Sequence, residues 1–394
     1  MTIVVVGGGI AGIATAIALA RRELAVEVLE QAGAAEAAGA GVQIGPNAAH
    51  ALQAIGAYEA VAARSTEPSG LVIRNGETGA TLAAISFGQR FEARFGAPYR
   101  VAHRADLLDA LLLTANQIPG ITLRYGGRVM AVAANDDGGH TLQLADGSER
   151  RVRALIGADG IRSTVRAHLL GDGPPVPSGH RLYRALFDPA ALPAAMAGDE
   201  VTLDLLPNAH VVTYRVAGGR LVNVVVVIAG NGEGAEWSVP VDKAEVLGGL
   251  QRRAAMLDAL LTAAPSWTRW TGADRPPAQR WGEGSATLVG DAAHPALPFL
   301  AQGAAMALED AAVLGGLATE AATLAEAFRR YEQQRQARTA RLTIAARRQG
   351  AIYHQSGGLR LLRDLALRLA PASLAIRQLD WLYRWKSSAD VNAI

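Results

Sequence analysis

Ile3-Val4-Val5-Val6-Gly7-Gly8-Gly9-Ile10-Ala11-Gly12 is the stretch whose reading decides the fold. Its continuous aliphatic run reads as a parallel strand buried on both faces. Glycines at 7, 9 and 12 give the spacing GxGxxG, and the alanine-rich segment Ala11 to Arg21 reads as the helix that follows. Gly7 permits the tight turn, Gly9 lets the backbone approach a pyrophosphate, and Gly12 allows helix and strand to pack closely. Residues Ala25 to Leu29 read as the next strand. Glu30 closes it, where a carboxylate can accept both ribose hydroxyls of a nucleotide. A glycine-rich turn alone often serves only the backbone; strand, turn, helix and acid in this order point to a dinucleotide site. NAD and FAD both satisfy that pattern.

Composition removes several chemistries. There is no cysteine, so disulfides, thiolate nucleophiles, cysteine metal sites and a thioether-tethered cofactor are all excluded. A dithiol-relay flavoenzyme is excluded for the same reason. Lys243 and Lys386 are the only lysines, and neither follows a glycine loop as a P-loop requires. The histidines form no HExxH or other close pair, so no metal site is expected. A formal net charge of +2 does not call for nucleic acid or a membrane. No apolar run reaches the roughly 18 residues of a membrane span, and no secretory signal is visible, so the cytoplasm is the expected location.

The chain has 394 residues, enough for two structural units. A helix is expected from near Pro46, short strands and loops over 69–97, and a helix from His103 to Asn116. Strands are expected around 121–124, 127–133, 141–145 and 150–157. From Arg181 to Thr271 the texture becomes β-rich, with 201–206, 210–216 and 220–228 reading as an antiparallel sheet and helices near 242–262. A strand at 285–289, a helix at 302–318 and long helices at 321–348 and 358–383 follow.

Two later segments repeat the logic of a strand delivering an aspartate to a turn before a helix. One is Ala154-Leu155-Ile156-Gly157-Ala158-Asp159-Gly160-Ile161-Arg162-Ser163-Thr164-Val165-Arg166. The other is Gly290-Asp291-Ala292-Ala293-His294-Pro295, continuing through Pro298-Phe299-Leu300-Ala301-Gln302-Gly303 to a helix carrying Glu309-Asp310. Each alone is an ordinary capped junction. With the glycine-rich turn, in this order, they resemble the class A flavoprotein monooxygenases, the family of 4-hydroxybenzoate, salicylate and 3-hydroxybenzoate hydroxylases.

The resemblance covers Thr2 to about Gln349. It implies an α/β fold: a Rossmann-like FAD-binding domain with an inserted antiparallel-sheet substrate domain and C-terminal helices. The expected boundaries are 1–70, 98–180 and 275–349 for the discontinuous FAD-binding domain, 71–97 and 181–274 for the substrate domain, and 350–394 for a helical end. It implies noncovalent FAD on Gly7, Gly9, Ala11 and Gly12, with Glu30 on the adenosine ribose and Gln31 beside it. Arg104 resembles the residue that reaches the phosphate and ribitol region. Asp159 resembles the aspartate contacting FAD and supporting the pyridine nucleotide, and Asp291 the aspartate on the ribitol. Gln302, Gly303 and Ala304 would face the flavin pyrimidine, and Val42 lies in the loop that passes over the ring.

On the substrate side, Ala209 to Val216 resembles a strand of the salicylate-hydroxylase branch. Alternation puts His210, Val212 and Tyr214 on one face. His210 and Tyr214 are therefore the candidate catalytic and substrate-contacting residues, with Pro298 and Phe299 completing the pocket. His294 is read as structural, in a place suited to holding Asp291. Ala40 stands where the 4-hydroxybenzoate branch has an arginine, and no arginine is assigned to a substrate carboxylate, with Arg184 and Arg215 the unsupported candidates. The implied reaction uses NADH or NADPH and dioxygen to hydroxylate a small aromatic substrate, in a monomer or homodimer. The rival readings are a flavoenzyme without oxygen insertion and a non-enzymatic FAD-binding redox sensor.

Overall fold

The strand Thr2–Val6 lies at the centre of a five-stranded sheet in the order Ala286–Leu288, Ala154–Gly157, Thr2–Val6, Ala25–Glu30, Ile121–Tyr125. Every pairing in it is parallel. The computed structural model describes residues 2–34, 40–192, 196, 198–230 and 238–387. The helix Ile10–Ala20 buries every residue but Ala11. An alanine-rich sequence suits that position because the helix is covered all round. A Cβ on Gly315 of the helix Gly303–Glu320 would lie 2.7 Å from the Ala18 Cβ, so small residues set this close approach.

A second sheet has eight strands, ordered Ser238–Val241, Trp267–Asp274, Val176–Phe187, Leu221–Ala229, Ala209–Val216, Val201–Leu206, Gly70–Asn75, Thr81–Ser86. It is antiparallel except for one parallel pairing, Val201–Leu206 with Gly70–Asn75, where a distant segment joins the edge. One face, carrying Tyr183, Val211, Val224 and Val226, packs against Val246, Leu257, Leu260 and Leu261 of the helices Lys243–Gly248 and Ala255–Ala263. The opposite face carries Leu182, Arg184, His210, Tyr214 and Asn223. This face, which the two helices leave uncovered, thus brings Arg184, His210, Tyr214 and Asn223 together.

Three sequence expectations change. The single strand expected over 150–157 divides at Arg153: Glu149–Val152 pairs in a three-stranded antiparallel sheet, and Ala154–Gly157 enters the parallel one. The half-exposed Glu149–Val152 and the fully buried Ala154–Gly157 suit these different settings. Within 69–97, Gln89–Phe95 is helical, closed by Gly96 at φ 78° and anchored by the buried rings of Phe91 and Phe95. The helix expected over 358–383 is three: Gly357–Leu369, Ala372–Gln378 and Asp380–Tyr383. Pro371, which has no N–H to donate, caps the second of them. Residues 388–394 of the expected helical end lie outside the described residues. No helix of the described residues is long and apolar enough to cross a membrane.

The 30-residue helix Leu324–Tyr353 clamps the parallel-sheet unit through charge. Arg335, almost fully buried, donates to Asp310 Oδ1 at 2.7 Å and Glu309 Oε2 at 2.5 Å. Arg338 adds two bonds to Glu309, at 2.6 and 2.7 Å. Removing the cation leaves buried carboxylates uncompensated. Arg335→Ala is expected to lower the unfolding free energy by about 3–5 kcal/mol in urea titrations; a loss under about 1 kcal/mol would show that the pair is not a structural clamp.

Candidate active site

The glycine-rich turn has the geometry its spacing demands. Gly7 adopts φ 108°, and a Cβ there would sit 2.4 Å from the Ala158 carbonyl oxygen. A Cβ on Gly12 would lie 1.9 Å from the Gly7 carbonyl oxygen. At Gly9 a Cβ would meet no protein atom within 4 Å, so the open side of the turn is left for a ligand. The Glu30 carboxylate is held by the backbone N–H groups of Gly8 at 2.6 Å and Ala32 at 2.8 Å. A cleft of about 550 Å³ runs past Gly7, Gly9, Glu30, Gln31, Arg104 and Asp159. Arg104 is exposed in it, at the first turn of the helix Arg104–Asn116.

The two aspartate turns meet beside this cleft. Asp159 lines it, but its carboxylate also starts the helix Thr164–Leu170, accepting from Ser163 Oγ, from Thr164 N–H at 2.7 Å and from Val165 N–H at 3.2 Å. Its contribution to cofactor binding is therefore made from a fixed, helix-capping position. Arg166, from the same helix, donates to the carbonyls of Ala292 at 2.8 Å and Ala293 at 2.7 Å, joining one turn to the other. Gly290, at φ 58°, is where a Cβ would strike the Ala11 methyl at 2.8 Å, so Ala11 serves by contact with this turn. Asp291 is exposed and makes no hydrogen bond among the described residues, and Gly303 opens the following helix next to its carboxylate. Ala304 is partly exposed on the same first turn. His294 does not hold Asp291: its Nε2 pairs with Asp310 Oδ2 at 2.5 Å, and the same oxygen accepts the Gly290 N–H at 2.9 Å. The histidine is structural, but its partner is Asp310 of the following helix and not Asp291.

These residues fit FAD. The open side of Gly9, the exposed Arg104 and the unpartnered Asp291 offer in order a backbone approach, a cation for phosphate and a carboxylate for hydroxyls.

His210 and Tyr214 do share a strand face, but at about 3.3 Å per residue they lie some 13 Å apart along it. His210 is buried at one end. Its Nδ1 is 2.8 Å from His354 Nε2, and the rings of Phe299 and Tyr353 lie 5.5 and 5.2 Å away. Burial first, then His354 and His180, holds its pKa well below the ordinary histidine value. His354 is pulled down to about 3, by burial and then by His180 and Arg363. Tyr214 sits at the other end with Gln43, against Gly41 and Asn223; burial raises its pKa, opposed by Arg184 and Gln43. Asn223 Oδ1 accepts the Gly41 N–H at 2.7 Å, pinning the Val42 strand to the eight-stranded sheet. Phe299 is buried, whereas Pro298 is exposed at the rim. Gln302, buried, accepts at 2.9 Å from Asn47 Nδ2, which also donates to Glu309 at 2.7 Å.

His354 escaped the sequence reading because it is a lone polar residue with no motif around it; Gln43, Asn47 and Asn223 lie in segments that resemble the family but carried no role of their own there. Arg215 is on the opposite face from Tyr214 and donates to the carbonyls of Gly198 and Gly219. It is committed to loop backbone and not to a ligand.

Two outcomes follow from this geometry. Gly12→Ala should destabilise the fold itself, whereas Gly9→Ala should leave apoprotein melting unchanged and weaken FAD binding by at least about tenfold, measured by fluorescence titration. The opposite ranking would show that the turn does not seat the cofactor. The neutral imidazoles of His210 and His354 gain protons on unfolding below the unfolded pKa of about 6.5. Stability is therefore full above that pH and should fall below it by about 1.4 kcal/mol per pH unit for each group. Denaturation at pH 7.5, 6 and 5 checks this, and His354→Gln should remove one proton's share of the slope; an unaltered slope contradicts a buried neutral pair.

The family described as FAD binding domain matches residues 1–346. The 3-hydroxybenzoate 6-hydroxylase of Polaromonas naphthalenivorans (strain CJ2) is 37% identical over 387 residues, covering 98% of this chain and 96% of that protein. The 3-amino-4-hydroxybenzoate 2-monooxygenase of Streptomyces platensis is 37% identical over 390 residues, covering 98% and 96%. A solved salicylate hydroxylase substrate complex superposes with a TM-score of 0.82 at 25% identity, over 100% of this chain and 97% of that one. With its glycine turn and Asp159 lining one cleft, and the Asp291 turn tied to them through Arg166, the chain belongs to the FAD-binding-domain family, among the class A flavoprotein monooxygenases.

Proposed function

We propose that this protein is an FAD-dependent, NAD(P)H-consuming monooxygenase that hydroxylates a small phenolic aromatic ring. The observation that carries the reading is the single sheet face bearing His210 and Tyr214, closed by Phe299 from the segment that leads from Asp291 to Gln302. Whole-length relatives named as hydroxylases and monooxygenases favour oxygen insertion over a simple dehydrogenation or a sensing role. When bound, FAD would supply the redox chemistry that couples NADH or NADPH oxidation to dioxygen, with one oxygen atom entering the ring and the other leaving as water.

The chain's own residues position, dry and deprotonate. His210 Nε2 has no protein partner among the described residues, so it can accept a hydrogen bond from a phenol O–H and take up its proton as the ring is attacked. His354 orients the ring through Nδ1, as the third member of a base–orienter arrangement. Leu182, Val227 and Phe299 form an apolar cluster at this end that excludes water. Tyr214 stays protonated at the other end and is held by Gln43. Gln302 is held by Asn47 at the start of the helix that faces the cofactor. Asp159 and Arg104, which line the same cleft, would support the pyridine nucleotide and the FAD phosphates.

The test supplies NADH or NADPH, labelled dioxygen and hydroxybenzoates to the FAD-loaded protein. One labelled oxygen in a new ring hydroxyl is expected, and unlabelled or absent product with full NAD(P)H oxidation would sink the proposal. In His210→Gln the hydroxylation step, followed by stopped flow, should slow by at least about tenfold, and the product-to-NAD(P)H ratio should fall. Unchanged values would return His210 to a packing role.

A further inference from the structure

Gly350 is a glycine that its own backbone does not require. It is buried in the last turn of the helix Leu324–Tyr353, and its carbonyl accepts the His354 N–H at 3.0 Å, as in any regular helix. Its φ lies outside the left-handed region. Glycine inside a helix weakens it relative to alanine, so the reason for the missing side chain is to be sought in what fills its place. The Phe299 ring fills it. A Cβ on Gly350 would lie 2.6, 2.7 and 2.8 Å from Cε2, Cζ and Cδ2 of that ring, which is one whole edge.

Phe299 has little freedom to relieve such a contact. Its backbone belongs to the turn Pro298–Leu300, closed by the Ala301 N–H on the Pro298 carbonyl at 3.0 Å, with Ala301 itself at φ 53°. The ring is rigid and moves as one body about its two torsions. It is wedged between the long helix, at Gly350, and the uncovered face of the eight-stranded sheet, at Leu182 and Val227. The imidazoles of His180, His210 and His354 stand around it, with centroids 5.1, 5.5 and 5.5 Å away. Its outer side borders a surface cleft of about 410 Å³ that Leu297 and His180 also line. A side chain at position 350 therefore presses the ring off the helix and toward the sheet, into the space beside His210.

Building on the hydroxylase reading above, we propose that Gly350 is a positioning residue that sets the substrate size admitted at His210. By giving the Phe299 ring a berth in the helix, it leaves room for a substituent next to the phenol hydroxyl. Gly350 acts through Phe299 and makes no contact with the substrate. With glycine here the pocket admits phenols that carry a small alkyl group ortho to the hydroxyl. With a larger residue it is narrowed to the unsubstituted ring, because a close-packed interior feels a change of one methyl group.

The experiment uses the full-length FAD-loaded protein and two probes that differ by one methyl beside the hydroxyl, 3-hydroxybenzoate and 3-hydroxy-4-methylbenzoate. Binding is read from the perturbation of flavin absorbance. Wild type should bind the two within about threefold of each other. Gly350→Ala should weaken the methylated probe at least about tenfold more than the plain one. Adding Phe299→Leu to Gly350→Ala should bring the ratio back to within about threefold of wild type, because the smaller side chain relieves the contact. A general loss of stability moves both probes together, so the ratio reports the pocket alone. Equal weakening of both probes, an unchanged ratio with the ring yielding into the outer cleft, or no recovery in the double variant overturns the proposal. Should Gly350→Ala not fold, Phe299→Leu carries the test: it should bind 3-hydroxy-4-isopropylbenzoate at least about tenfold more tightly than wild type does, and no gain overturns the proposal. A ratio that responds as expected in a protein that inserts no labelled oxygen refutes the hydroxylase reading and leaves the role of Gly350 standing. Oxygen insertion with an unresponsive ratio does the reverse.

Discussion

The Asp310 carboxylate is the interaction on which the site's architecture rests. One of its oxygens accepts from the Gly290 N–H and from His294, and the other from Arg335. It therefore anchors the turn at Gly290 and ties it to the long helix Leu324–Tyr353. Burial alone would push this carboxyl toward its neutral form, but His294 and Arg335 keep it ionised. Glu309, its neighbour, extends the same charge system to Asn47 and so to Gln302. A single buried cation thereby fixes both ends of the segment that lies along the cofactor cleft. The arrangement places costly charges where rigidity has a use.

The second constraint is the division of labour across the eight-stranded sheet. One face packs an apolar cluster beneath two helices, with the Arg74–Asp204 pair beside it. The other face is thereby released to carry Arg184, His210, Tyr214 and Asn223, which would be poor choices for a packed core. Asn223 and Gly41 join this face to the segment at the cofactor side, so the pocket is a product of two sheets and not of either alone.

Much of the cofactor site was legible because its signals are local. A glycine at φ 108° and another with its Cβ position blocked at 1.9 Å are demands made by neighbouring backbone, and they recur as a spacing in sequence. The pairing of His210 with Tyr214 on one face was legible from period-two alternation. The split at Arg153 was not, because a strand leaving one sheet and entering another changes its partners without changing its extended backbone. The partner of His294 was missed for a related reason: a turn identifies which residues are near in sequence, while the helix rise at Asp310 decided which carboxylate came within reach.

The sequence by itself determined the βαβ cofactor unit, the order of the aspartate turns, the absence of cysteine chemistry and the membership of strand faces. All of these follow from backbone geometry over a few residues or from composition. Only the tertiary structure decided what each polar side chain meets. His354 reaches His210 across 144 residues, Asn223 reaches Gly41 across 182, and Asn47 reaches Gln302 across 255. No local propensity encodes such pairs, because they exist only once packed layers bring distant strands and helices within hydrogen-bonding distance. The same holds for Gly350, whose missing side chain answers to the Phe299 ring packed against it and to nothing in its own helix.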